Sequence, residues 1–244
     1  MSKSLKNCAV FYHIFYEDTI HSIEEELQYL HQYQPAFFFN ISADMPNTNY
    51  INYELKKKFP GCHTVSSSNK GKDIGGKLLL LKLYFLLRRT STWFLFLHDK
   101  KSLQAVNAEL WRKELFRIVQ LEELNKIEQI ALQDSKCGII AAKDCIKYEK
   151  RVDGTFVSIN QHHMQSLVNR FNLKPSSYNY VGGTMFWARA TIMEQFFKLI
   201  DPLYVRAELE SGNVLDDQSG TLTHSWERLL SWIYTSSGME IRSV

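Results

Sequence analysis

The sequence predicts an α/β fold in one domain, with a mostly parallel central sheet and helices on both faces. Strand-like and helix-like segments alternate three times in the first 90 residues. The strand-like segments are continuous apolar runs, which is typical of parallel strands that are buried on both faces. No linker, repeat or low-complexity tract divides the 244 residues. This length suffices for one domain with a large core.

Composition excludes several classes of protein. The formal net charge is +3 and the pI is about 8.5, which is too mild for a protein whose main partner is nucleic acid but allows a local anion site. The four cysteines are scattered without a CxxC pair, and no secretory leader is recognised, so we expect reduced thiols in the cytoplasm. The most apolar run, residues 78–87, is far shorter than the roughly 20 residues that span a bilayer.

The elements of the first half are justified by residue type and spacing. Predicted strands are rich in β-branched and aromatic residues, and the first helix repeats Ile20, Ile23 and Leu27 at helical spacing. In chain order we predict a strand at 9–16, a helix at 20–30, a strand at 36–42, a short helix near 52–59, a strand from 62 and an apolar helix at 77–89.

The second half continues the pattern with longer helices. In chain order we predict a strand at 92–97, a charged helical segment at 102–132 with a break, a strand at 138–142, a polar surface excursion at 143–160, a short helix at 164–172, a strand at 180–189, a helix at 190–203 and a last helix from about 221.

Residues 69–76, Asn-Lys-Gly-Lys-Asp-Ile-Gly-Gly, form a glycine-rich and lysine-rich octet before the apolar helix. Glycine tolerates positive φ and lets a ligand approach the backbone, and a helix start presents unpaired N–H groups. Asp73 would repel phosphate and suits a ribose hydroxyl or a base N–H. The octet therefore indicates a nucleotide site, with an ordinary loop and helix cap as the alternative. Its spacing matches neither GxGxxG nor the P-loop.

Polar residues follow the most strand-like segment, in the order His98-Asp99-Lys100-Lys101-Ser102. Ligands of open α/β sheets bind outside the carboxyl ends of the strands, so this position predicts an active-site cluster. A solvated turn in which Ser102 caps the next helix is the alternative. In the last predicted helix, His224, Glu227 and Arg228 are spaced to project from one face.

Four blocks resemble the rhamnan synthesis protein F family in order and spacing over nearly the whole chain. They are Asn69-Lys70-Gly71-Lys72-Asp73-Ile74-Gly75, Leu97-His98-Asp99-Lys100-Lys101-Ser102 with Trp111-Arg112, Val181-Gly182-Gly183-Thr184-Met185-Phe186-Trp187-Ala188-Arg189, and Gly220-Thr221-Leu222-Thr223-His224-Ser225-Trp226-Glu227-Arg228-Leu229. The resemblance implies a GT-A-like glycosyltransferase that assembles bacterial cell-surface polysaccharide or lipopolysaccharide, with rhamnose from a dTDP donor as the namesake sugar. It further implies a nucleotide-binding half at 1–102, an acceptor-side half at 103–244, a glycan or lipid-linked glycan acceptor, and contact with the cytoplasmic face of the inner membrane.

The chain departs from the family pattern at two positions. The family pattern resembles His-Thr-Lys-Lys-Ser, and Asp99 stands in the place of its threonine. The pattern also resembles Asp-Gly-Thr-Leu, and Ser219 stands in the place of its aspartate, before Gly220. The second change removes a carboxylate that is a candidate base.

The resemblance and the residue chemistry together predict three groups of site residues. Donor binding is assigned to His13, Tyr16, Asn69, Gly71, Lys72, Asp73, His98, Asp99, Lys100 and Lys101. The sugar and acceptor pocket is assigned to Gly182, Gly183, Thr184, Trp187 and Arg189. Catalysis is assigned to Asp217 as the base, with Glu227 as the alternative base and with His224 and Arg228 shaping the acceptor pocket. For His13 and Trp187 a role in the core is the alternative, and for Glu227 an ion pair with Arg228.

A single carboxylate beside two lysines is a poor cage for Mg²⁺ or Mn²⁺, which prefer several oxygen ligands. We therefore favour neutralisation of the diphosphate by Lys100, Lys101 and Arg189, with a divalent cation held through Asp99 as the alternative. The competing function is a non-catalytic carbohydrate-binding or nucleotide-binding module. A Rossmann-type methyltransferase or oxidoreductase is disfavoured, because the first strand is followed by Tyr16-Glu17-Asp18 and not by a glycine fingerprint.

Overall fold

The computed structural model describes residues 4–99, 108–216 and 219–244. Within these ranges the strands are β1 (Cys8–Ile14), β2 (Ala36–Ser42), β3 (His63–Ser67), β4 (Trp93–His98), β5 (Cys137–Ala141), β6 (Ile146–Tyr148), β7 (Asn179–Val181), β8 (Phe186–Arg189) and β9 (Glu240–Ser243). The helices are α1 (Thr19–Leu27), α2 (Thr48–Lys58), α3 (Lys72–Leu86), α4 (Ala108–Phe116), α5 (Leu121–Gln133), α6 (Gln161–Arg170), α7 (Ala190–Phe197), α8 (Pro202–Glu208) and α9 (Leu222–Ser236). Short 3-10 turns cover Gln28–Tyr33, Arg117–Val119 and Lys143–Cys145.

Seven strands form one sheet in the order β3-β2-β1-β4-β8-β5-β9. The pairs β1–β2, β1–β4, β2–β3 and β5–β9 are parallel, whereas β8 is antiparallel to both of its neighbours. The predicted α/β fold with a mostly parallel sheet is therefore confirmed. β6 and β7 pair separately as a two-stranded antiparallel sheet.

The order of the strands reverses between β1 and β4. The chain builds outward from β1 to β3 and then returns to place β4 on the other side of β1. Ligands of open α/β sheets bind in the crevice at this reversal, outside the carboxyl ends of the strands. His13 and His98 are register partners at those two ends. The topology therefore predicts a ligand site in the space above these two histidines.

Aromatic side chains fill the centre of the sheet. The ring of Phe11 lies within 5.7 Å of the rings of Phe38, Tyr84, Phe94 and Phe96, measured between centroids. Such tilted and edge-to-face pairs add stability beyond the area that they bury. All four cysteines are free thiols. In the described part of the chain, no helix combines the length and apolarity that a membrane crossing requires.

Two predicted helices have different bounds in the structure. α3 begins at Lys72, five residues before the predicted start, so the second half of the octet is its first turn. The helix predicted at 190–203 is divided into α7 and α8. Pro202 occupies the first turn of α8, and the carboxylate of Asp201 accepts a hydrogen bond from the Leu203 N–H at 2.9 Å. This proline and cap start a new helix after a break. The short edge strand β9 was not predicted.

Candidate functional site

A cleft of about 110 Å³ opens at the carboxyl ends of β1 and β4. Seven of the residues predicted to bind a donor line it, together with Phe15 and Asn213. The seven are His13, Tyr16, Asn69, Lys72, Asp73, His98 and Asp99. A larger cavity of about 470 Å³, beside Lys82 and Asp201, contains none of the predicted residues. The structure therefore brings residues from four sequence regions to the reversal of strand order.

Asp99 fixes the loop that follows β1. Its Oδ2 accepts hydrogen bonds from the N–H groups of Phe15 at 2.8 Å and Tyr16 at 2.6 Å, and from Thr19 Oγ1 at 2.9 Å. The other oxygen, Oδ1, is buried and has no hydrogen-bond partner among the described residues. Burial raises the pKa of this carboxyl to about 7, although the bonds from Tyr16, Thr19 and Phe15 oppose the shift. Asp99 thus lines the cleft and keeps one buried oxygen that no described residue satisfies.

A buried lysine organises the opposite wall. Lys77 is 2% exposed, and its Nζ donates to Asp73 Oδ2 at 2.8 Å and to Thr184 O at 2.9 Å. Nζ also lies 3.1 Å from His98 Nδ1 and 2.5 Å from Thr184 Oγ1, while Thr184 Oγ1 donates to Asp73 Oδ2. Burial opposes ionisation of Asp73, but the charge of Lys77 and the contact with His98 hold its pKa well below the usual range. This cluster joins α3, β4 and the turn before β8.

His13 is a buried, neutral imidazole. Its Nδ1 accepts a hydrogen bond from Asn40 Nδ2 at 2.7 Å, and Asn40 Oδ1 accepts one from Ser67 Oγ at 3.0 Å. Burial lowers the pKa of His13 to about 4; Asp73 acts against this shift and Lys77 with it. Asn40 therefore fixes the tautomer that carries its proton on Nε2.

The glycines of the octet serve packing more than phosphate binding. Gly71 has φ +74° and donates its N–H to Glu210 O at 2.7 Å. A Cβ at Gly71 would overlap Leu209, one at Gly75 would overlap Lys70 O, and one at Gly76 would overlap His13. The prediction that these glycines expose bare backbone to a phosphate is therefore wrong, because protein atoms fill the space of each missing Cβ.

Residues 210–216, which we term the linking segment, run alongside the octet. Lys70 and Ser211 form an antiparallel bridge, and the Gly212 N–H donates to Asn69 O at 3.2 Å. Asn69 Nδ2 donates to Asn213 Oδ1 at 2.9 Å. The linking segment thus forms one rim of the cleft.

The two glycines before β8 form a turn that is held from α9. The Gly182 N–H donates to Cys145 O at 2.8 Å, and the Gly183 N–H donates to Glu227 Oε1 at 2.7 Å. Glu227 Oε2 accepts from Arg228 Nη1 at 2.7 Å. With one bond on each oxygen, Glu227 positions the turn, and this geometry supports the alternative in which it is an ion-pair partner of Arg228.

Arg228 is a buried ion-pair residue. Its Nε donates to Glu149 Oε2 at 3.0 Å, and its guanidinium lies 4.5 Å from the centroid of Tyr180. Burial disfavours the charge of Arg228, but the carboxylates of Glu227 and Glu149 raise its pKa. Arg228 therefore supports the region beside the turn and does not present a free cation to a substrate.

Two predicted pocket residues lie elsewhere. Trp187 is fully buried and donates its Nε1–H to Ile118 O at 3.0 Å, so it is a core residue and not a stacking face. Arg189 donates to Cys137 O at 2.8 Å and stacks over Trp93, at the start of β4. Because β8 runs antiparallel to β4, Thr184 contacts the cleft residue Asp73 while Arg189 lies at the opposite edge of the sheet. The assignment of Arg189 to the diphosphate is wrong.

Lys100, Lys101 and Asp217 lie outside the described residues, so the roles predicted for them remain predictions. His224 is described, and its Nδ1 lies 2.7 Å from Asp216 Oδ1.

Sequence reasoning missed several residues that hold the site together. Lys77 carried a signal, since it interrupts an apolar run four residues after Asp73. Asn40 and Asn213 carried none, because each is a lone polar residue whose partner is distant in the sequence.

The described residues do not form a cage for a divalent cation. No group of three or more His, Cys, Asp or Glu side chains in these ranges is arranged to hold a metal ion. In the cleft, Asp73 Oδ2 is bonded to Lys77 and Thr184, and Asp99 Oδ2 is bonded to three donors. The two carboxylates of the cleft offer few oxygen ligands to Mg²⁺ or Mn²⁺, which prefer about six, and Asp73 is already paired with Lys77.

Known proteins resemble this chain at two levels. Among the curated proteins no match is found. A similar solved structure is that of the mannosyltransferase PcManGT from Pyrobaculum calidifontis in complex with GDP-Man and Mn²⁺, with 13% sequence identity and a TM-score of 0.44. The similarity covers 98% of this chain and 54% of that one, so the chain spans about half the length of that enzyme. The model of rhamnan synthesis protein F matches residues 1–239, which is nearly the whole chain. As the four sequence blocks predicted, the chain belongs to the rhamnan synthesis protein F family.

Proposed function

We propose that this protein is a glycosyltransferase that binds a nucleoside-diphosphate sugar in the cleft above β1 and β4. The observation that carries the proposal is the unpaired, buried Oδ1 of Asp99, set beside Asp73 and Asn69 at the reversal of strand order. A ribose presents hydroxyl donors and a base presents N–H donors, and each suits a carboxylate oxygen that no described residue satisfies. Membership of the rhamnan synthesis protein F family supports sugar transfer as the reaction.

In this proposal each wall of the cleft has its own task. Asp99 and Tyr16 contact the nucleoside, and Lys72 at the start of α3 faces the diphosphate. The N-terminal end of a helix also favours negative charge. Lys100 and Lys101 follow Asp99 in sequence and supply further positive charge to the leaving group.

The proposed reaction is an inverting transfer. The acceptor oxygen forms a bond to the anomeric carbon while the bond from that carbon to the diphosphate oxygen breaks. The bonding electron pair leaves with the nucleoside diphosphate, and the proton of the acceptor hydroxyl passes to a base. Rhamnose from a dTDP donor and a glycan or lipid-linked glycan of the cell surface are the substrates that the family name suggests.

Calorimetry with dTDP, UDP and GDP tests the binding step. We expect at least one of them to bind, and Lys72→Ala to weaken its binding by tenfold or more, because a charge-assisted contact is lost. Lys70→Ala is the matched control, since Lys70 is the neighbouring octet lysine outside the cleft lining. No binding of any nucleoside diphosphate at millimolar concentration would overturn the proposal.

Turnover distinguishes an enzyme from a binding module. The structural bonds of Glu227 favour the module, because they give one candidate base a role in holding the turn before β8. An enzyme releases nucleoside diphosphate only when donor and acceptor are both present, whereas a module binds without release. We expect release that continues in EDTA. Activity that is lost in EDTA and restored by Mn²⁺ would instead assign a metal to Asp99.

A further inference from the structure

We propose that His224, held by Asp216, is the general base that accepts the proton of the acceptor hydroxyl. This inference rests on the proposed glycosyl transfer. His224 Nδ1 lies 2.7 Å from Asp216 Oδ1. Nδ1 also lies 2.6 Å from Thr221 Oγ1, which donates its own proton to Asp216 Oδ1. Both neighbours of Nδ1 therefore accept, so Nδ1 carries the hydrogen and Nε2 keeps its lone pair. No described residue forms a hydrogen bond to Nε2, and the side chain is 26% exposed, so an acceptor can reach it.

Asp216 is anchored by groups other than His224. Its Oδ2 accepts from Asn160 Nδ2 at 2.6 Å, and its Oδ1 accepts from Thr221 Oγ1 at 2.9 Å. Asn160 Oδ1 in turn accepts from the Thr221 N–H at 2.6 Å. Asp216 is thereby fixed between the start of α6 and the start of α9. A carboxylate held in this way fixes both the orientation and the tautomer of the imidazole.

The pair is not needed to cap α9. Thr221 Oγ1 accepts from the His224 N–H at 3.1 Å, and Glu210 accepts from the N–H groups of Leu222 at 2.6 Å and Thr223 at 2.9 Å. These bonds already satisfy the first turn of the helix. The contact between Asp216 and the imidazole is therefore additional to the caps of α9.

Two connections bring the pair to the donor cleft. Asn213 lines the cleft, and three residues later Asp216 is at most about 11 Å away along the linking segment. From the other side, Glu227 lies one helical turn after His224 and accepts from Gly183, which precedes the Thr184 that contacts Asp73. In this proposal the acceptor sugar binds between these two connections, with its hydroxyl at Nε2.

The proposed step transfers one proton. The acceptor hydroxyl gives its proton to His224 Nε2 as its oxygen bonds to the anomeric carbon, and the resulting imidazolium is stabilised by Asp216. The proton then passes to water, which restores the neutral ring. Asp216 acts as a positioning residue in this step because it touches the base and not the substrate.

Asp216→Asn tests the positioning role of this carboxylate. The variant removes the acceptor beside Nδ1, so kcat should fall while nucleotide affinity stays within twofold of wild type, and Asp216→Glu should restore part of the rate. A purely structural role for Asp216 would lower the melting temperature and leave the kcat of the folded protein unchanged.

The experiment compares kcat and nucleotide affinity in four variants. His224→Gln is expected to lose about 10²–10⁴-fold in kcat, the range for a removed general base, with nucleotide affinity within twofold of wild type. His21→Gln, an exposed histidine of α1, is the matched control and should retain full activity. In His224→Ala, added imidazole should restore part of the rate. Asp217→Asn distinguishes the two candidate bases, since the sequence predicts that role for Asp217.

Near-normal kcat in His224→Gln would overturn the inference, and loss in Asp217→Asn instead would assign the base to Asp217. Wild-type protein that binds nucleotide but never releases it with an acceptor would refute the proposed function itself. The two failures are therefore distinguishable. Thermal melting of each variant identifies any loss of rate that is due to unfolding.

Discussion

Removal of the Lys77 amine tests whether the cluster on the cleft wall holds the fold together. Lys77→Met keeps the length of the side chain but removes the donor to Asp73, His98 and Thr184. Asp73 would then be a largely buried carboxylate without its cation. The side chain of Asp73 is 21% exposed, so water replaces the lost contacts only in part.

Breaking a buried ion pair by removing one partner costs about 3–5 kcal/mol in free energy of unfolding. In a protein of this size each kcal/mol lowers Tm by about 2–4 °C, so we expect a decrease of about 6–20 °C. The pKa of Asp73 is depressed in the folded state, so its contribution to stability is present above the unfolded pKa of about 4 and is lost as pH falls through the folded pKa. Lys77→Met should show a weaker loss of this kind in acid.

Urea unfolding at pH 7 and at acid pH, followed by tryptophan fluorescence, measures both effects. Lys82→Met is the matched control, because Lys82 lies on the same helix and pairs with Asp201 in a partly exposed ion pair. Such pairs contribute about 0–1 kcal/mol. Adding Asp73→Asn to Lys77→Met should recover part of the loss. A free energy of unfolding within 1 kcal/mol of wild type in Lys77→Met would refute the argument.

Three further predictions follow from single contacts. Gly76→Ala should lower the free energy of unfolding by about 1–3 kcal/mol in urea, because its Cβ would overlap His13. Helix propensity alone predicts a gain, so an increase in the free energy of unfolding would contradict the overlap. Wild-type protein should lose stability relative to Asp99→Asn as pH rises from about 4 to about 7, because the folded pKa of Asp99 is raised to about 7 and its unfolded pKa is not; a difference that is independent of pH would contradict this. Glu227→Gln should lose about 1–3 kcal/mol of stability through its contact with Arg228 while keeping nucleotide release within tenfold of wild type, and loss of release with intact stability would make Glu227 a base.

The sequence was sufficient to predict the sheet and the edge at which the site lies. Parallel strands read as apolar runs, and polar residues at their carboxyl ends meet at one edge, so His13, His98 and Asp99 could be brought together before the structure was known. The four sequence blocks also predicted the family, and the match over residues 1–239 confirms that family.

The remaining features depend on contacts between distant residues. The start of α3 was predicted too late because Gly75 and Gly76 suggest a loop. In the structure both are helical, and glycine is needed there because Lys70 and His13 lie too close to leave room for a Cβ. The direction of β8 has no signature in residue type, so Trp187 and Arg189 were assigned to the wrong edge or face. Lys77 contacts Thr184 across 107 residues of sequence, a distance at which pattern and spacing carry no information.

Glu210 joins two helices that are far apart in the sequence. Its backbone oxygen accepts from the Gly71 N–H before α3, and its carboxylate accepts from the Leu222 and Thr223 N–H groups that start α9. Displacing this one residue would break all three bonds together. In hydrogen exchange, these three amides would therefore share one opening free energy, and the start of α3 and the start of α9 would behave as a single cooperative unit.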